Sequence, residues 1–236
     1  MLECRHVFKR FDGKIVVKDC DFTVQKGEII GLMGESGSGK STLAKLLIGL
    51  EKPSQGEILL DGQPYSVKKS GVRILLVFQD SLHSVNPNFT VEQVLTEALP
   101  KDVAREEIEA ILEDVGLDKS FLSQPARQLS GGQLQRICIA RGLLLKPDIL
   151  IFDEALSGLD PIVQGRLLRL LHDLWEKYQL TYLFISHDFK LSYALCHRIL
   201  VMADGEIIDE IKDFELPIQA HHPVTEKLIG DKGHFS

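Results

Sequence analysis

Paired cysteines, long apolar runs and an excess of basic charge are all missing from this chain. Cys4, Cys20, Cys138 and Cys196 show no Cys-x-x-Cys spacing, so a reducing cytoplasm is expected, with the four as small core or surface residues. The longest nearly apolar passage, Gly142 to Phe152, is broken by Lys146, Pro147 and Asp148. Nothing approaches the roughly 20 residues that span a bilayer, and Met1–His6 lacks the apolar core of a signal peptide. Lys and Arg number 27 against 34 Asp and Glu, a net charge of −7, which argues against nucleic acid held on a broad basic face. No internal repeat and no heptad run is evident. At 236 residues, 44% apolar and 26% charged, the chain has the means to bury a full core, as one domain or one domain with an inserted lobe.

What is there begins with Gly34-Glu35-Ser36-Gly37-Ser38-Gly39-Lys40-Ser41-Thr42. It matches GxxxxGK[ST] in full and follows the apolar run Ile29–Met33, which reads as a buried strand. The glycines let the backbone bend round a polyphosphate with successive N–H groups pointing inward. A helix opening at Lys40 adds its positive dipole end. Lys40 would reach the β- and γ-phosphates and Ser41 would hold Mg²⁺. The plainer alternative is a glycine-rich strand-to-helix turn with no ligand.

Residues 2–8, 15–24 and 56–60 alternate or run apolar between Asp12-Gly13, Lys26-Gly27 and Asp61-Gly62 turns and read as short antiparallel strands. Phe11, before the first turn, is either a half-buried strand end or a platform for adenine. A helix is expected over Lys40–Leu50, closed by Gly49 and Pro53. Val72–Phe78 reads as a second buried strand with Gln79 at its C-terminal end, where ligands bind in open α/β sheets. Thr90-Val91-Glu92-Gln93 is a capping box, and Ile108, Ile111, Leu112 and Val115 mark one helical face ended by Gly116. No strand is evident between Asn88 and Leu145. An all-helical lobe inserted into a β/α core is therefore expected.

Ser130-Gly131-Gly132-Gln133 precedes an amphipathic helix. Ser130 is its expected N-cap, and the glycines permit a second phosphate group to approach exposed N–H donors; alone, such a turn is usually only a cap. Ile149–Phe152 is a third buried strand ending in Asp153-Glu154. That pair suits two roles, Asp153 holding Mg²⁺ directly or through water and Glu154 polarising the water that attacks a γ-phosphate; a solvated strand end is the plain reading. Asp160-Pro161 starts a helix whose buried face carries Val163, Leu167, Leu170, Leu171 and Leu174. Thr181–Ile185 is a fourth strand with His187 beyond it, placed to donate to a γ-phosphate or to sit beside a helix cap at Asp188. Asp204-Gly205 signals a hairpin, and the tail reads as one or two short helices.

With the phosphate loop, Gln79, Leu129–Gln133, Asp153-Glu154, Ser157–Asp160 and His187 in this order, residues 1–210 resemble the ATP-binding subunits of ABC transporters. The resemblance implies an α/β P-loop NTPase (RecA-like) core with an antiparallel β subdomain (1–79 and 146–210), an inserted helical subdomain (80–145), and a C-terminal tail (211–236). It implies that Phe11 stacks adenine, that Gln79 senses Mg²⁺ and the attacking water, that His187 contacts the γ-phosphate, and that Asp160 belongs to the nucleotide site. It also implies a second ATPase subunit, identical or homologous, because Ser130–Gln133 of one chain would complete the site of the other. Val77–Ser81 with Ser84–Pro87, and the tail segment His222-Pro223-Val224-Thr225 with Leu228-Ile229, look like the ATPases of oligopeptide, dipeptide and nickel importers. That group works with two integral membrane permeases and an extracytoplasmic substrate-binding protein, so a peripheral place on the cytoplasmic face of the membrane is expected. The chain departs from the family where Ala155-Leu156 stand in place of Pro-Thr, and at Val224, where an aromatic is commoner. A soluble ABC ATPase acting on nucleic acid or ribosomes, and the ATPase of a split exporter, are the rival readings. A P-loop kinase or GTPase would leave Leu129–Gln133 and His187 without a role.

Overall fold

Side-chain alternation decides the architecture. In the computed structural model, which describes residues 1–78, 84–99, 103–212, 214 and 218–230, ten strands and eight α-helices are placed. In chain order these are β1 (Leu2–Phe11), β2 (Lys14–Val24), β3 (Ile29–Met33), α1 (Lys40–Leu47), β4 (Gln55–Leu60), β5 (Gln63–Pro64), α2 (Val67–Ser70) and β6 (Ile74–Phe78). There follow α3 (Val91–Thr96), α4 (Arg105–Asp114), α5 (Gly131–Leu144), β7 (Ile149–Asp153), α6 (Pro161–Tyr178), β8 (Thr181–Ile185), α7 (Phe189–Leu195), β9 (Arg198–Ala203), β10 (Glu206–Ile211) and α8 (Pro223–Ile229).

Strands β2, β1, β4 and β5 form an antiparallel sheet in that order. The second sheet runs β10-β9-β3-β8-β7-β6, parallel throughout except for the β9–β10 hairpin. Its central strands are buried on both faces, as their unbroken apolar runs require. Alternate residues then serve two separate cores. Ile30, Leu32, Ile149, Ile151, Leu183 and Ile185 pack with α1 and the antiparallel sheet. Leu150, Phe152, Tyr182 and Phe184 pack with α5, α6 and the helices between β6 and β7. The parallel sheet is the wall between them, so one substitution of a central-strand side chain weakens one core and leaves the other.

The helical reading of the middle segment agrees with the fold: among described residues from Asn88 to Leu145 there is no strand, only an isolated bridge between Thr90 and Pro125. Helix α3 opens on the expected capping box at Thr90. Helix α1 stops at Leu47, three residues short of the expected end. Gly49 takes φ +74°, and the amides of Leu50 and Glu51 turn back to the Lys45 carbonyl, which closes the helix early. Strand β6 starts at Ile74, because Val72 is 52% exposed and has no wall to pack on. Trp175 lies across the base of the sheet, donating Nε1–H to the Gly27 carbonyl at 2.7 Å.

Candidate active site

Parallel pairing puts three strand ends side by side. Ile30 to Leu32 of β3 match Leu183 to Ile185 of β8, and Phe152 and Asp153 of β7 match Phe184 and Ile185. Everything that follows these strands therefore emerges at one edge: Gly34 after β3, Asp153-Glu154 at the end of β7, and His187 after β8. This is the edge at which open α/β sheets take ligands. A cleft of about 810 Å³ opens there, lined by Gly34 to Gly37, Gly39 to Thr42, Glu154 and His187, with Val16 and Leu228.

The phosphate loop is shaped from beneath. Gly34, at φ +157°, has no room for a side chain, since a Cβ would stand 2.1 Å from the Met202 carbonyl. At Gly39, φ +109°, a Cβ would meet the Val16 carbonyl at 2.7 Å. The turn of the β9–β10 hairpin props the loop, with the Gly205 amide donating to the Ser38 carbonyl at 3.0 Å. Contacts from β2 and from a hairpin some 165 residues downstream are invisible to a motif read along the chain. Lys40 is buried and donates to the carbonyls of Gly34 (2.7 Å) and Glu35 (2.9 Å). Burial pulls its ammonium below the usual lysine range, against the opposing pull of Glu154 and Asp153.

The two carboxylates differ as their environments differ. Burial pushes the Asp153 carboxyl above its usual range, although a hydrogen bond with the Ser41 side chain acts the other way. Its Oδ1 is buried with no hydrogen-bond partner. A shielded carboxylate oxygen without a partner beside a hydroxyl is a donor set that suits a hard cation such as Mg²⁺. Glu154 sits at φ +53°, a left-handed conformation that costs about 1 kcal/mol for a side chain of this kind. Its amide donates to the Ile185 carbonyl at 3.0 Å, and its Oε2 lies 2.8 Å from His187 Nδ1. These two hydrogen bonds hold the strained residue at the cleft wall.

The other expected residues stand apart from this cleft. Ser130 and Gln133 form a reciprocal capping box: Ser130 Oγ accepts from the Gln133 amide at 3.3 Å and Gln133 Oε1 accepts from the Ser130 amide at 2.8 Å. No described atom would lie within 4 Å of a Cβ at Gly131, and at Gly132 the nearest is a Val163 methyl at 3.6 Å. Asp160 caps α6, accepting from the amides of Ile162 and Val163. Phe11 is 40% exposed with the Lys9 ammonium 4.7 Å above its ring. Gln79 lies outside the described residues. His221 and His222 are used locally, His221 against Asp209 and His222 as the cap of α8.

Comparison with known proteins fits this geometry. The ABC transporter family model matches residues 17–157. The chain belongs to the ABC transporter ATP-binding family. It is 41% identical over 242 residues to the nickel import ATP-binding protein NikE of Shigella sonnei, covering 96% of this chain and 84% of NikE. It is 40% identical over 231 residues to the metal-staphylopine import system ATP-binding protein CntF of Staphylococcus aureus, covering 95% and 92%. Among solved structures it resembles cbiO1 of Clostridium perfringens, part of the transporter complex cbiONQ, with TM-score 0.81, 28% identity and 89% and 87% coverage. It also resembles the dimeric ATP-binding cassette MJ0796 bound to ADP and phosphate, with TM-score 0.75, 27% identity and 90% and 98% coverage. This ABC ATPase binds and hydrolyses ATP. No described helix is long and apolar enough to cross a membrane.

Proposed function

We propose that this ATPase energises import of nickel or another chelated metal, docked on the cytoplasmic face of two separate permease subunits. The observation that carries this reading is the similarity to NikE across 96% of the chain, reinforced by CntF, a second metal-import ATPase. The functional unit is residues 1–210, in which the helical segment 80–145 passes motion to the permeases and 211–236 is an appended tail. An extracytoplasmic binding protein delivers the cargo in systems of this kind.

At the site, Lys40 meets the β- and γ-phosphates, while Ser41, Asp153 and Gln79 hold Mg²⁺, which supplies charge neutralisation of the polyphosphate when bound. Glu154, held at the cleft wall, takes the proton of the attacking water. His187 faces Glu154 through Nδ1 and has Nε2 left to donate to a γ-phosphate oxygen when both nitrogens carry protons. Phe11, 40% exposed, stacks adenine. Ser130, Gly131, Gly132, Gln133 and Asp160 serve the nucleotide of a second ATPase subunit. The two glycines support this, since beyond the helix's own backbone no described residue comes within 4 Å of a Cβ at Gly131, and a bare backbone there leaves room for an outside group. ATP binding then closes two subunits around two nucleotides, and hydrolysis reopens them.

The test is uptake of radioactive Ni²⁺, free and chelated, and of labelled peptide by cells lacking this chain, complemented with wild type or Glu154→Gln. Metal uptake restored only by wild type is expected. Restored peptide uptake without metal uptake would overturn the cargo, and ATPase activity stimulated by nucleic acid without permeases would overturn the transport reading itself.

A further inference from the structure

The tail segment that carries His222 to Ile229 has no part in the mechanism above, yet it reaches the nucleotide cleft. Helix α8 is fastened at both ends. At its start the His221 amide donates to Asp209 Oδ2 at 2.9 Å and the His221 ring lies 3.3 Å from Oδ1. Asp209 is itself in the sheet, on β10, with its side chain only 4% exposed. Along the helix, Thr225 and Ile229 are buried, and Ile229 joins the same core as Ile211. Of the residues between them, Lys227 reaches the phosphate loop, and Leu228, partly packed on the core, borders the cleft. Lys227 Nζ pairs with Glu35 Oε1 at 2.6 Å, a contact across 192 positions of sequence. Leu228 forms part of the cleft wall alongside Val16, Glu154 and His187.

Charge argues that Lys227 is drawn further over the loop when the site is filled. Glu35 is the second residue of the loop, and its own carbonyl receives a proton of Lys40. A polyphosphate seated on the loop brings several negative charges toward Lys227, which the pair with Glu35 already holds at the mouth. An apolar side chain one position on, Leu228, gives the nucleotide a dry wall rather than open water. We propose that α8 is a strap across the mouth of the nucleotide site, with Lys227 and Leu228 as nucleotide-site residues that slow nucleotide exchange. The proposal rests on the cleft being the ATP site, and its test separates the two.

The experiment uses the full chain with Mg²⁺ and ADP carrying a fluorescent methylanthraniloyl group, chased in stopped flow with excess unlabelled ATP. Exposed ion pairs are worth little individually, so Lys227→Ala should speed release by about 2- to 5-fold at low salt, an effect that shrinks as salt is added. Leu228→Ala should speed it by a similar factor that salt does not erase. Lys227→Glu should exceed both, and the exchanged pair Glu35→Lys with Lys227→Glu should return toward wild type. Amide hydrogen exchange across Thr225–Ile229 should slow on adding ADP. Release rates for Lys227→Glu and Leu228→Ala equal to wild type, or α8 amides that exchange unchanged or faster with ADP, would overturn the strap while leaving the site standing. A wild-type chain that binds no labelled ADP would overturn the site, and the strap with it.

Discussion

In Glu154→Gln the side chain keeps its length and its planar end, so the amide oxygen can still accept from His187 across the native 2.8 Å. Position is preserved while charge and basicity are lost. Positioned general bases contribute roughly 10²- to 10⁴-fold, and each tenfold is about 1.36 kcal/mol of barrier, so the variant should lose about 2.7 to 5.5 kcal/mol of transition-state stabilisation. ATP affinity should hold or improve. Asp153 and Glu154 both press negative charge on Lys40, and removing one of them lowers the repulsion felt by incoming phosphates. Steady-state phosphate release, single-turnover hydrolysis and fluorescent nucleotide binding on the same preparation separate the two effects. Turnover within tenfold of wild type would refute Glu154 as the base. A parallel fall in nucleotide affinity would refute the claim that the substitution is conservative, and would assign the residue to binding.

Ser130→Arg should abolish hydrolysis yet leave nucleotide binding by single subunits intact, because Ser130 stands away from its own cleft; normal ATP-dependent dimerisation in the variant would count against this. Ser130→Ala removes half of a reciprocal cap and should cost about 1 kcal/mol in chemical denaturation. Asp153→Asn should raise the melting temperature while hydrolysis in Mg²⁺ drops by about 100-fold or more. The sign follows from the raised carboxyl: the folded chain holds that proton more tightly than the unfolded one, so ionisation weakens the fold as pH climbs from 3.8 through the folded value, and the penalty persists at neutral pH. A lower melting temperature for this variant would contradict it. Arg198→Ala strands Glu28, whose Oε1 receives Arg198 Nε at 2.6 Å, and also frees Glu210. Breaking a mostly buried pair costs about 3 kcal/mol, which for a chain of this size lowers the melting temperature by about 6 to 12 °C.

What could be read along the chain was local or periodic. The buried strands at Ile29–Met33, Ile149–Asp153 and Thr181–Ile185 were legible because each is an apolar run beside turn residues, and the helices at Thr90, Ser130 and Asp160 because their caps are chemical signals within three residues. Convergence of the phosphate loop, Glu154 and His187 was legible too, since parallel strands deliver their C-terminal ends to one edge. The support beneath the loop was not. Met202, Gly205 and Val16 touch it through backbone carbonyls and amides, and a backbone contact leaves no residue-type signature for a reader to find.

The tail shows the same limit from the other side. Lys227 is one of many surface lysines by composition, and Leu228 continues the helical face of α8 like any core leucine, so neither announces a ligand. The signal available in sequence was weaker: Asp209 lies two residues before Ile211 on a hairpin strand, so it shares the face of a core residue, where a carboxylate calls for donors. The His221 amide is one such donor. Once Asp209 is satisfied by the chain just before α8, the helix has a fixed start, and with Thr225 and Ile229 turned inward its final turn lies against the loop that carries Glu35. The second oxygen of Asp209, beside the one that the Glu210 amide serves, thus locates a segment that periodicity leaves unplaced. Asp209→Ala should accordingly loosen α8 and speed nucleotide release as Lys227→Ala does, while Asp209→Asn, which still accepts the His221 amide, should retain most of the wild-type rate.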